Sequence, residues 1–179
     1  MSGAGLRPRV SILSLDLSLT ATGFCLDGHV GCIRSKLGGY ERNAEIRDAI
    51  ARMCFGVDLV VLEDYAYSVN MRGVAPRHEL GGIVKMWCYD HGIIVVSLSP
   101  TTLKKFATGS GKAQKINMAQ AAWRRFHLGE SVTDDNMVDA YLLWAAAREA
   151  YGGPVAKVPA DQAACIHRLE WPRVGRDAA

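Results

Sequence analysis

The sequence predicts an α/β domain: a mixed five-stranded sheet, an antiparallel meander followed by parallel strands, flanked by helices. Three observations carry this expectation. Three short strand-like runs follow one another within 10–34, the last two joined by Asp27-Gly28, a two-residue hairpin turn. Two runs rich in valine, leucine and isoleucine, 58–62 and 93–98, are continuous rather than alternating, as in strands buried on both faces of a parallel sheet. Between and after them, apolar residues recur every three to four positions, the period of amphipathic helices.

In order, Val10 to Leu17, Gly23 to Leu26 and Val30 to Arg34 form the meander. Tyr40 to Cys54 places Ile46, Ala49, Ile50 and Met53 on one helical face. Asp58 to Leu62 is a central strand with Glu63 at its end. Arg77 to Tyr89 is helical through Leu80, Ile83, Val84 and Trp87, Gly92 closes it, and Ile93 to Leu98 returns as a strand. Pro100 to Phe106 is a short helix or turn, Gly109 and Gly111 mark a loop, and Ala113 to Phe126 and Asp135 to Ala150 are helices. Residues 1–151 are thus expected to form one enzyme-sized domain. Gly152-Gly153-Pro154 ends the periodicity, and 152–179 is expected to be a tail in which Ile166, Leu169 and Trp171 form one short docked element.

A chain of 179 residues with 49% hydrophobic content can bury a substantial core. Its net charge of +3 is too small to identify a polyanion binder, so that argument must come from where basic residues cluster. The five cysteines are odd in number and form no CxxC pair, so they read as reduced thiols. No signal peptide or membrane span is expected, and a cytoplasmic location is the default. The histidines and cysteines have no zinc-ligand spacing, and Ser99, Thr101 and Thr102 lack His and Asp partners for nucleophilic catalysis.

Four acids stand out instead. Asp16 lies between Leu15 and Leu17 in a strand-like run, where an unpaired carboxylate costs several kcal/mol on burial, so it needs a positive partner or a role in the turn at Ser18 and Thr20. Glu63 ends the DLVVLE run. Asp135 and Asp139 share one helical face at four-residue spacing, which is mildly destabilising without a cation. Asp134 is explained by capping the helix, but Asp139, a full turn inside and followed by Ala-Tyr-Leu-Leu-Trp, is not. Two strand-end carboxylates joined to two on a helix suggest a divalent-metal site that would cut a phosphodiester.

In these residues the chain resembles the RuvC-type Holliday junction resolvases, members of the RNase H-like nuclease superfamily, over roughly Val10 to Ala147. The segment LDLSLTATGF resembles the family's first-strand Asp and following turn, VVLED its strand-end acid, and Asp139-Ala140 its terminal helix pair. The resemblance implies an RNase H-like fold and catalytic, metal-binding roles for Asp16, Glu63 and Asp139. The family's other helix ligand lies three residues before that Asp, where this chain has Asn136 beside Asp135. Asp135 is favoured because Asn adds no negative charge, although either supplies oxygen.

A Pro-x-x-aliphatic-Lys segment with a second lysine eleven residues on is also matched, by Pro100 to Lys104 and by Lys115. The resemblance implies DNA-backbone and active-site roles for Lys104 and Lys115, with Lys105 and Lys112 adding positive potential. Read from the residues themselves, these four with Arg72, Arg77, Arg124 and Arg125 offer a phosphate-binding surface. Tyr65 and Tyr67 stand near the family's base-stacking aromatic, at a slightly different offset. The resemblance further implies two Mg²⁺ per site, with Mn²⁺ as a substitute, branched DNA and above all four-way junctions as partner, and a homodimer formed through the Arg77 to Tyr89 helix. Hydrolysis by two such ions needs an activated water and neutralised phosphate and leaving oxygens. Two other outcomes stay open: a structure-specific RNA-processing nuclease and a non-catalytic branched-DNA-binding protein. An ATPase of the sugar-kinase or actin type would need a duplicated domain, which this length does not hold.

Overall fold

The computed structural model describes residues 10–64 and 75–174. Five strands, β1 (Ile12–Asp16), β2 (Thr22–Leu26), β3 (His29–Ile33), β4 (Leu59–Glu63) and β5 (Ile94–Leu98), form one sheet in the order β3-β2-β1-β4-β5. β1, β2 and β3 pair antiparallel, whereas β4 and β5 join parallel to β1, which is the mixed sheet the sequence predicts. The hairpin turn has Asp27 and Gly28 at φ 49° and 99°, matching the strand twist. Asp27 also ties the base of β1, its carboxylate accepting from the Ser11 hydroxyl at 2.9 Å and the Ile12 N–H at 3.0 Å.

The helices among the described residues are α1 (Gly39–Met53), α2 (Ala75–Asp90), α3 (Pro100–Thr108), α4 (Lys115–Arg124), α5 (Asp135–Ala150) and α6 (Ala160–His167). α1 and α2 cover one face of the sheet over Leu13, Leu15, Val60 and Leu62; the other four pack with the opposite face, over Ile12, Leu59, Val61 and Leu98. α5 is buried on nearly all sides, and its small residues Ala145, Ala146 and Ala147 permit close packing. Alternation along β1 and β4 therefore directs Asp16 and Glu63 to the α5 side.

Differences from the sequence expectation are confined to ends. α3 runs on to Thr108, held by Ser99, whose hydroxyl accepts from the Thr102 N–H at 3.1 Å, and closed by Gly109 at φ 88°. α4 is shorter than the periodicity suggests, because a Gln114–Asn117 capping box starts it and His127, at φ 60°, turns the chain soon after it. Beyond the last long helix, α6 sets Ile166 fully into the α5-side core, and Trp171 donates its indole N–H to the Ile166 carbonyl at 3.0 Å. Leu169, expected in that docked element, is 37% exposed and stays outside it. No helix among the described residues is long and apolar enough to cross a membrane.

Candidate metal centre

Asp16 and Glu63 end adjacent parallel strands, one residue beyond the last registered pair, Leu15 with Leu62. Asp139 reaches the same end of the sheet from the second turn of α5. Two close contacts bring it there. The fully buried Ser14, on the same face of β1 as Asp16, donates its hydroxyl to the Ala140 carbonyl at 2.6 Å, beside Asp139. Gly23, paired with Asp16 across β1 and β2, lies so near α5 that a Cβ there would stand 2.0 Å from the Asn136 carbonyl oxygen. Both residues escaped the sequence reading. Their signals were a hydroxyl within an apolar strand and a glycine within a strand, the latter a mark of close backbone approach.

Gly23→Ala is expected to push the first turns of α5 off the sheet, costing about 1–3 kcal/mol or more as overpacking. Chemical denaturation measures the loss. A variant as stable as the parent would contradict the contact.

The three acids are half-buried, and burial pushes each carboxyl upward. Asp16 rises to about 7, through desolvation first and then the charge of Asp139, with Arg77 and Lys115 opposing. Glu63 rises to about 8, through desolvation and then Asp16 and Asp139, against Lys104 and Arg77. Asp139 rises to about 6 through desolvation, with Lys115 and Lys104 opposing and Asp135 reinforcing the rise. Among the described residues none of the three carboxylates is satisfied by a hydrogen bond or close ion pair. The turn after Asp16 does not use it: Thr22 donates to the Ser18 carbonyl at 2.7 Å, and the Ser18 and Thr20 hydroxyls pair at 3.3 Å.

Asp135 differs from these three. Its side chain is 47% exposed, and one oxygen lies 2.8 Å from the Lys115 Nζ. Asp134 caps α5 by accepting from the Asn136 N–H at 3.0 Å and pairs with Arg34 at 2.8 Å. Among the described residues no three Asp, Glu, His or Cys side chains stand close enough to cage one ion together. The donor set nevertheless fits a hard divalent cation in type and charge, being all carboxylate oxygen, desolvated and electrostatically coupled.

Three cations among the described residues act on the acids. Arg77 from the first turn of α2, Lys104 from α3 and Lys115 from the start of α4 all act electrostatically on this cluster. Lys105 is exposed, and its charge acts on Cys165 instead. Lys112 is exposed on the loop before α4. Arg125, expected in a phosphate-binding surface, has intramolecular partners: its guanidinium donates to the Ala107 carbonyl at 3.1 Å and to Gln162 Oε1 at 2.7 Å, tying α4 to α3 and α6. Tyr65, Tyr67 and Arg72 lie outside the described residues. All described cysteines are free.

The same architecture occurs in known structures. RuvC from Thermus thermophilus superposes with a TM-score of 0.63 at 18% identity, covering 80% of this chain and 97% of that one. The T. thermophilus RuvC in complex with Holliday junction substrate gives 0.68 at 17% identity, over 81% and 98%. The yeast mitochondrial Holliday junction resolvase gives 0.54 at 14% identity, over 92% and 83%. In sequence, the crossover junction endodeoxyribonuclease RuvC of Acidobacterium capsulatum is 30% identical over 73 residues, which span 41% of this chain and 43% of that relative. No protein-family profile matches the chain. The fold of this chain is that of the RuvC-type resolvases.

Proposed function

We propose that this chain is a divalent-metal-dependent endonuclease that nicks branched DNA, four-way junctions above all, by phosphodiester hydrolysis. The observation that carries the reading is the trio Asp16, Glu63 and Asp139. Three desolvated carboxylates from two strand ends and a helix lie at one end of the sheet with no hydrogen-bond partners among the described residues, within the electrostatic reach of Arg77, Lys104 and Lys115. Such a centre suits a phosphate drawn in by those cations. The fold it shares with junction resolvases supports the substrate class.

Asp16, Glu63 and Asp139 would hold Mg²⁺, or Mn²⁺ in its place, two ions per site, with Asp135 the fourth acid at the rim of the cluster. When bound, the metal supplies water activation and neutralises charge on the scissile phosphate. The protein's part is placement. β1 and β4 fix the two strand-end carboxylates by register, and the Ser14 and Gly23 contacts fix Asp139 against them. Lys115, a cation beside Asp16 and Asp139, would offset charge on the phosphate in the transition state. Lys104 and Arg77 would seat neighbouring phosphates, with Lys105, Lys112, Tyr65, Tyr67 and Arg72 extending the contact along the DNA. Paired cuts in a four-way junction need two sites, so a homodimer is part of the reading. The face of α1 and α2 offers a docking surface, with Tyr40 79%, Met86 58% and Tyr89 79% exposed.

The test is incubation with labelled four-way junction, linear duplex, flap and RNA hairpin, with Mg²⁺, with Ca²⁺ or without metal. Symmetric paired nicks in the junction that require Mg²⁺ are expected, and binding should weaken as salt rises because phosphate contacts dominate affinity. Cutting confined to RNA, or binding without cutting in any metal, would overturn the assignment.

A further inference from the structure

Lys115 opens α4 and Asp135 opens α5, and their side chains meet across the cluster at 2.8 Å. The two ends are not electrostatically equivalent. A helix N-terminus carries partial positive charge, which suits Asp135 and opposes Lys115, so the ammonium is held where it is by Asp135 rather than by its own helix. The sequence grouped Asp135 with the metal-binding acids, but its surroundings set it apart. It is the exposed one and the one paired with a cation, and of the three half-buried acids it acts on Asp139 alone. Lys115, 75% exposed at the end of a flexible four-carbon stem, has many conformations open to it when untethered.

We infer that Asp135 is the positioning residue of Lys115: its carboxylate tethers the ammonium at the mouth of the acid cluster and does not serve as a donor to the divalent cation. The inference rests on the nuclease reading and revises the helix-ligand expectation. An exposed ion pair adds little to global stability, so its effect belongs in turnover rather than in Tm.

The test compares full-length wild type with Asp135→Asn, Lys115→Met, the double variant and Asp135→Glu. Asp135→Asn is expected to lower kcat on a four-way junction about tenfold, while the Mn²⁺ Kd, read by electron paramagnetic resonance, stays at the wild-type value. Asp139→Asn is the control that weakens Mn²⁺ binding. On the Lys115→Met background Asp135→Asn should add no further loss, and Asp135→Glu should recover part of kcat. Weaker Mn²⁺ binding in Asp135→Asn, additive losses in the double variant, or an unchanged or raised kcat would each overturn the inference. If wild type cuts no substrate, the nuclease reading fails separately. The Mn²⁺ Kd and the ¹⁵N signal of the Lys115 ammonium, slowed in exchange by Asp135 and released in Asp135→Asn, then still decide the tether.

Discussion

Asp16→Asn is expected to abolish junction cleavage, by about a thousandfold or more, while leaving the protein folded and its Tm in metal-free buffer at pH 8 unchanged or higher. The two effects have one cause. Asp16 sits where β1 ends, desolvated and facing Asp139, with its charge raising Glu63 in turn. On the proposed reading, replacing it by the isosteric amide removes a metal-holding carboxylate, and it relieves a repulsion that the metal-free fold bears. Activity and stability should therefore move in opposite directions, as for a charge held for function rather than for folding. Gel shift on the same junction in Ca²⁺ provides the control: binding should survive, since the phosphate contacts proposed above are basic side chains that the variant keeps. Wild-type cutting by this variant would remove Asp16 from the site, and loss of both folding and cutting would make it structural.

The second large effect is on stability against pH. Asp16, Glu63 and Asp139 hold their protons to about 7, 8 and 6 in the folded chain, whereas unfolded carboxyls release theirs near about 4. The folded state thus binds more protons between these limits. The stability linked to these groups is complete below the unfolded values and is lost as pH rises through the folded ones. Metal-free protein should melt at progressively lower temperature from about pH 4 to about pH 8, with a slope of up to about 1.4 kcal/mol per pH unit for each proton involved. Saturating Mg²⁺ should reverse the trend most strongly at the alkaline end, because binding displaces the protons and cancels the repulsion. Melts at several pH values, with and without Mg²⁺, measure both. A metal-free Tm that is flat or rises over this range, with no Mg²⁺ response, would show that the carboxylates are not coupled as described.

Much of this could be read before folding. The Asp27-Gly28 turn, the continuous valine-rich runs and the helical spacing of 135–150 are local signals, carried by φ preferences and side-chain periodicity within a few residues, and each forms the element expected. The desolvation of Asp16 was legible too, since a carboxylate between Leu15 and Leu17 in a strand is buried at a cost. The inward bonding of Arg125 was not legible, because a cluster of basic residues in the sequence does not show which way each one points. Its guanidinium turns inward to Ala107 and Gln162, and Gln162 comes from a helix 37 residues further on.

By itself the sequence determined the elements, the sheet class and the desolvated setting of Asp16, because strand alternation, helical period and the burial cost of a lone carboxylate are all encoded in neighbours along the chain. Only the tertiary structure decided how the three acids meet. The parallel register of β1 with β4 sets Asp16 beside Glu63, and the missing side chain of Gly23 lets the Asn136 backbone close on β2. The Ser14 hydroxyl then holds α5 at Ala140. It also separated Asp135 from its neighbours by giving its carboxylate to Lys115, twenty residues away in sequence. Contacts of that span depend on which surfaces close packing brings together, and no local preference specifies them.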